Sequence, residues 1–265
     1  MKNPYISFWL LLTTAFAFFT VLSSQDTIKI AGIELAKPDI IEELTKVTVA
    51  ETTEAEEVKT EDIGIENAVN TENEVVMDTL PKKILIFGDS MLEGLSPRLA
   101  AYAKHNGHSL YSVIWYSSTS KVWGTSTKLK EYISKFNPDF IFVSLGANEM
   151  FVKDIIKARD KYVKTILSQI GDIPYIWIGP PNWKDDTGIN ELVEKNVPKG
   201  RFFLSKGMHF DRSSDKVHPT RTSAALWMDS VINWMAKNRN GEIRLARPSK
   251  ASGKADKTIT LQPVK

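Results

Sequence analysis

Between residues 82 and 238, short apolar runs alternate with longer stretches of helical spacing. This alternation restricts the fold more than any other feature of the 265-residue chain. The runs at 84–87, 110–115, 140–145 and 174–178, with a weaker one at 201–204, are short, rich in Ile, Val and Phe, and apolar at successive positions. They read as buried strands. Between them, 92–106 places Leu92, Leu95, Leu99, Tyr102 and Ala103 on helical spacing and ends before Gly107. The stretch 128–136 looks helical and stops at Asn137-Pro138, and 152–170 is amphipathic and ends at Gly171. A short helix at 191–196 and a longer one at 220–236, with Trp227, Val231 and Trp234 on one side, complete the series. Strands without a polar face must be covered on both sides. The expectation is therefore an α/β fold: a three-layer α/β/α sandwich around a mostly parallel sheet of about five strands. In such sheets reactive groups gather outside the carboxyl ends of the strands.

The flanks differ from this body. Residues 1–80 carry 5 basic and 15 acidic side chains, whereas 81–238 carry 22 basic and 15 acidic. A mildly basic body suits an acidic or polyol substrate, and solubility explains it equally well. Lys2 precedes a nearly unbroken apolar run at 6–22, which has no polar face for a core helix. Two readings of 1–24 stay open: a signal peptide cleaved after Ser23 or Ser24, or a short membrane anchor. Both place the remainder outside the cytoplasm, in the periplasm or beyond, with the membrane as a partner only through this segment. Residues 25–80 read as an acidic, disordered spacer, with some apolar spacing over 28–49 that suits a marginal strand or helix. Residues 239–265, with 7 basic and 2 acidic side chains, read as a basic flexible tail. The chain has no cysteine, which excludes a thiol nucleophile, a disulfide framework and thiolate metal sites.

The first run breaks at Gly88-Asp89-Ser90, delivering a hydroxyl where a strand turns into a helix, beside backbone N–H groups able to hold negative charge. Near the other end stands Asp215-Lys216-Val217-His218. An imidazole titrating near neutrality is suited to take the proton of Ser90, and a carboxylate three residues earlier can fix its tautomer. Rivals exist. Ser90 can serve as a helix cap, His209 is an alternative base, and Asp211 an alternative acid. His105 and His108, flanking Gly107, read as structural, and Asp89 as a turn residue. A phosphate-loop reading fails because Gly88-Asp89-Ser90 lacks the spaced glycines and lysine, and no nucleic-acid partner is indicated.

Three blocks in order resemble the SGNH (GDSL-type) hydrolases: Gly88-Asp89-Ser90, Gly146-Ala147-Asn148-Glu149, and Asp215-x-x-His218. The resemblance covers about 82–236. It implies a flavodoxin-like SGNH fold over the 81–238 domain, with Ser90, His218 and Asp215 catalytic. It also implies an oxyanion hole of the Ser90 N–H, the Asn148 amide and a backbone N–H from the loop after the second strand. That block normally supplies a glycine. Here the loop runs Trp115-Tyr116-Ser117-Ser118-Thr119-Ser120-Lys121-Val122-Trp123-Gly124, and the donor is Ser120 or Gly124. Glu149 stands where the family usually has aspartate, a structural substitution. Trp115, Tyr116, Trp123, Asn182 and Trp183 occupy strand-end loops and are candidate substrate contacts.

The reading that follows is an exported serine esterase. It acts on a small ester, an O-acetyl group on a glycan, through an acyl-enzyme and without metal or organic cofactor. The alternatives are an O-acetyltransferase using the same residues and a catalytically silent glycan-binding module. The joint presence of Ser90, His218, Asp215 and Asn148 speaks against the last. The natural ester and the oligomeric state are open.

Overall fold

The computed structural model describes residues 27–30, 33–36, 80–238 and 242–264. The chain divides into two compact units, 1–69 and 70–265. In the first, β1 (Thr27–Ile30) and β2 (Ile33–Ala36) pair antiparallel with Thr27 opposite Ala36 and Ile30 opposite Ile33. Their alternating sequences have the period of a strand. The rest of the stretch read as a spacer, 37–79, lies outside the described residues, as does the apolar run at 6–22. Among the described residues no helix is long and apolar enough to cross a membrane.

The second unit is built on a six-stranded parallel sheet. Its strands are β3 (Lys83–Gly88), β4 (Ser109–Trp115), β5 (Phe140–Ser144), β6 (Tyr175–Ile178), β7 (Phe202–Phe203) and β8 (Lys257–Leu261), in the order β7-β6-β5-β3-β4-β8. Among the described residues six helices accompany them: α1 (Leu92–His105), α2 (Ser120–Thr125), α3 (Lys128–Phe136), α4 (Ile155–Ile170), α5 (Ile189–Asn196) and α6 (Arg221–Asn238). The period-2 alternation assigns each strand residue to a face. Ile84, Ile86, Phe140, Phe142, Ile176 and Ile178 pack with Leu95 and Leu99 of α1 and Trp227 and Val231 of α6. Leu85, Phe87, Ile141, Val143 and Trp177 pack with residues of α2 to α5. Apolar residues at successive positions are thus the mark of a sheet buried on both sides. The α/β/α architecture follows.

The sheet has one strand more than the five expected, and the sixth lies in the tail read as loose. β8 pairs with β4, Tyr111 opposite Lys257 and Trp115 opposite Leu261. The segment before it is fastened too. Arg98 donates to the Lys250 carbonyl at 2.6 Å and Gly253 N–H to the Pro97 carbonyl at 2.7 Å. Gly253 lies so close to α1 that a Cβ there would stand 2.8 Å from Ala101 N. Lysine-rich composition hides the signal, but Thr258-Ile259-Thr260-Leu261 is an alternating β-branched run on a sheet edge. The short helix α2 was also not expected. It starts at Thr119, whose Oγ1 accepts the Val122 N–H at 3.2 Å.

Strand order positions the site. From β3 the chain moves outward to β4, then returns past β3 to β5 and continues to β6 and β7. Connections after β3 and β5 therefore diverge and leave a crevice at their carboxyl ends. Above it, α1 and α6 approach closely: a Cβ on Gly94 would lie 2.5 Å from the Ala224 Cβ. Asp229 of α6 accepts from Arg98 Nε at 2.6 Å and from the Tyr102 hydroxyl at 2.8 Å, both on α1. This buried clamp fixes the two helices whose preceding loops carry Ser90 and His218.

Candidate active site

Ser90 is delivered by a turn that tolerates little change. β3 ends at Gly88, where a Cβ would lie 1.9 Å from the Ser144 carbonyl oxygen of β5, so only glycine fits. Asp89 N–H donates to that same carbonyl at 3.1 Å. The Asp89 side chain turns inward, is buried, and accepts the Met91 N–H at 3.0 Å on Oδ1. Its Oδ2 has no hydrogen-bonding partner. Burial pushes this carboxyl up to about 7, against the opposing pull of the Met91 amide.

His218 Nε2 stands 2.8 Å from Ser90 Oγ, and His218 Nδ1 stands 2.6 Å from Asp215 Oδ2. The carboxylate is oriented by the turn it begins. Its Oδ1 accepts the N–H groups of Val217 at 2.9 Å and His218 at 3.0 Å. Lys216, in the left-handed region at φ 59°, closes the turn tightly enough for both amides to point back. The bond to His218, then those two amides, hold the Asp215 carboxyl down at about 2. It remains an anion, accepts the proton on Nδ1, and leaves Nε2 as the acceptor for the Ser90 hydroxyl. Arg212 braces the loop, donating to the Val217 carbonyl and to the carbonyls of Pro181 at 3.2 Å and Asn182 at 3.3 Å. No motif signalled Arg212; it is legible only once the loops after β6 and before α6 are adjacent. The rivals stand apart from this chain of bonds. His209 and Asp211 are exposed and belong to no hydrogen bond with Ser90, while His108 binds Lys82 N–H and the Arg244 carbonyl.

Asn148 comes from the loop after β5, where Gly146 takes φ 124°, a conformation that favours glycine. Asn148 Nδ2 donates to the Ser118 carbonyl at 3.0 Å and joins this loop to the one after β4. The expected third donor is corrected. Ser120 N–H is occupied by Glu149 Oε2 at 2.6 Å, and Ser120 Oγ by Glu149 Oε1 at 2.8 Å. Gly124 lies inside α2, where a Cβ would be 2.9 Å from Tyr162 Cα; it is a helix-packing glycine. Ser118 N–H donates to the Trp115 carbonyl at 3.1 Å. Among the described residues the N–H groups of Ser90, Ser117 and Thr119 have no acceptor. Glu149 itself is fully buried and paired with Arg159 Nε at 2.8 Å. Its extra methylene lets one carboxylate reach both Ser120 and α4.

The aromatic candidates separate in the same way. Trp115 and Trp123 are corrected from substrate contacts to core. They meet edge to face at 5.2 Å, with Trp115 Nε1 on the Gln262 carbonyl and Trp123 Nε1 on Ser118 Oγ. Aromatic residues at a strand end carry no sign of which way they turn. Asn182 is bound to Asp186 and Asn190 and shapes its own loop. Tyr116 is half-buried, and its hydroxyl donates to Glu93. Trp183 is half-buried beside the Asn148 loop, with Nε1 on the Ala147 carbonyl at 3.3 Å and Phe151 against its edge at 5.9 Å. Phe151 is 52% exposed and was not expected from sequence. A cavity of about 430 Å³ opens over Ser90 and His218, lined also by Met91, Glu93, Ser213 and Arg221.

No family model matches the chain, and no curated protein does. Solved structures do resemble it. The esterase EstA from Pseudoalteromonas sp. is 17% identical over 58% of this chain and 97% of that one, with a TM-score of 0.45. A family 3 carbohydrate esterase from Clostridium thermocellum is 16% identical over 60% of this chain and 100% of that one, with a TM-score of 0.42. The catalytic domain of a peptidoglycan O-acetyltransferase from Streptococcus pneumoniae is 14% identical, over 60% and 95%, with a TM-score of 0.39. A protein of the G-D-S-L family from Desulfitobacterium hafniense is among the others.

Proposed function

We propose that this protein is a serine esterase that removes a small acyl group, an acetyl, from a glycan. The observation that carries the reading is the unbroken sequence of bonds from Ser90 Oγ through His218 to Asp215. In the first half-reaction Ser90 Oγ attacks the ester carbonyl while its proton passes to His218 Nε2. The tetrahedral oxyanion meets the Ser90 N–H and the Asn148 amide. Asp215 stabilises the imidazolium through Nδ1. His218 then gives its proton to the leaving sugar oxygen as the carbonyl–oxygen bond breaks, leaving Ser90 acylated. In the second half-reaction water attacks, His218 takes its proton, and Ser90 leaves with that proton as the acid is released. The His218 side chain is 32% exposed, so water can reach the imidazole that activates it in the second half-reaction.

The apolar run at 6–22 supports export, with the esterase domain working outside the cytoplasm. Cell fractionation tests this: recovery of the domain in the periplasm, envelope or medium is expected, and recovery in the cytoplasm alone would contradict export. The activity is tested with 4-nitrophenyl acetate. The full chain is expected to hydrolyse it and Ser90→Ala to lose at least ~10⁴-fold in kcat/KM. Undiminished turnover by Ser90→Ala would end the reading.

A further inference from the structure

A second cavity of about 710 Å³ adjoins the one above Ser90. It is lined by α1, α6 and the segment 247–252, and shares Glu93, Gly94 and Arg221 with the first. Each volume lies in the range of a whole ligand site. Together they far exceed what an acetyl group needs. The wall includes Pro97, Leu226, which is 56% exposed, and Pro248, an apolar strip suited to the C–H face of a sugar ring.

Its charges are unequal in availability. Asp229 already accepts from Arg98, Arg247 and Tyr102. Glu93 already accepts the Tyr116 hydroxyl. Arg221, exposed at the junction of the two cavities, makes no hydrogen bond or ion pair among the described residues. Helix stability does not account for it: Arg221 opens α6, where the helix dipole disfavours a cation and the first turn holds no acidic residue. Asp229 is thus paired with two guanidinium groups, Glu93 keeps its charge while accepting from a neutral hydroxyl, and Arg221 is a cation left free, a few residues from the nucleophile's partner His218.

We propose that this groove holds an anionic glycan chain, the alcohol side of the ester, and that Arg221 reads its negative charge. The inference rests on the esterase reading for its link to turnover, and its binding element is separable. The chain that reaches Ser90 would then carry carboxylate or phosphate groups at the sugar or polyol next to the acetyl.

The test compares an O-acetylated oligogalacturonide with its methyl ester, which removes the uronate charge, and reads released acetate so that cleavage of the methyl ester is not counted. At low salt the full chain is expected to show about three- to tenfold higher kcat/KM for the free acid. The gap should close as salt screens the contact, and Arg221→Gln should remove it. Equal rates for the two forms, or a preference that survives Arg221→Gln, would overturn the proposal. Competition by unacetylated oligogalacturonide and by glycerol phosphate oligomers ranks a carboxylate against a phosphate source. Either competing in an Arg221-dependent way supports the groove, and neither competing refutes it. Should neither acetylated form nor 4-nitrophenyl acetate be turned over, the esterase reading fails on its own. Titration calorimetry with unacetylated oligogalacturonide then decides the groove: binding weakened by Arg221→Gln sustains it, and no binding overturns it.

Discussion

The two sides of the crevice are built in opposite ways. On one side, Asp215 and His218 form a single exposed turn whose bonds are nearly all local, and only the 2.8 Å contact from His218 to Ser90 crosses the fold. On the other, half-buried Asn148 and fully buried Glu149, both from the loop after β5, bind Ser118 before α2, Ser120 at the start of α2 and Arg159 of α4. The exposed side can be broken chemically with little effect on folding. On the proposed reading this second side carries chemistry and stability together, because removing Glu149 strands a charge already taken out of water.

Replacing a member of the exposed side should sharpen that contrast most. Asp215→Asn is expected to lower kcat by about 10⁴-fold, since an amide no longer selects the Nδ1–H tautomer, while the thermal midpoint stays near that of the parent. A large drop in the midpoint would mean that the turn is structural. The ionised carboxylate also sets a pH signature. Its pKa falls from 3.8 to about 2 on folding, so what it lends to stability is complete above 3.8 and disappears as pH falls through 2.

On the other side, Asn148→Ala should reduce kcat by about 10²–10³-fold with little change in KM, the pattern of a donor used in the transition state. A change confined to KM would place Asn148 in ground-state binding. Glu149→Ala should act through the fold. Leaving Arg159 and Ser120 without their acceptor is expected to destabilise by roughly 3–5 kcal/mol, read by urea denaturation. A loss of activity at unchanged stability would show that Glu149 acts at the reaction itself.

This contrast also explains what could be read from the chain. Asp215-x-x-His218 places its partners within one turn, so spacing alone suffices. Ser90 is legible because an apolar strand, a glycine and a helix start surround it. The third oxyanion donor was not legible. Ser120 and Gly124 are both plausible on paper, yet one is spent on Glu149 and the other on helix packing, and these facts depend on Glu149 and on Tyr162 of α4, both distant in sequence. Trp115 and Trp123 mislead for a related reason: a strand-end indole turns to the core or to solvent according to neighbours that local sequence does not show. β8 was missed because a short edge strand amid lysines looks like solvated tail until β4 offers it a partner.

An effect read in stability alone concerns Asp89, which lies between the two sides. Its carboxyl rises from 3.8 to about 7 on burial, so the folded protein holds a proton that the unfolded chain has lost. Stability should therefore decline as pH rises from 3.8 to 7 and stay lower above it. Asp89→Asn keeps the acceptor for Met91 and removes the ionisation. Its thermal midpoint should exceed that of the parent at pH 8, and the two should converge toward pH 4. A difference that does not change with pH would remove the titration from the account.

The most direct test of the central claim is covalent labelling by a fluorophosphonate followed by peptide mass spectrometry. The account predicts one adduct, on Ser90, formed rapidly by the full chain and lost with His218→Ala, because the hydroxyl is activated only through the 2.8 Å contact to that imidazole. An adduct on another residue, or labelling of Ser90 at the same rate without His218, would contradict it.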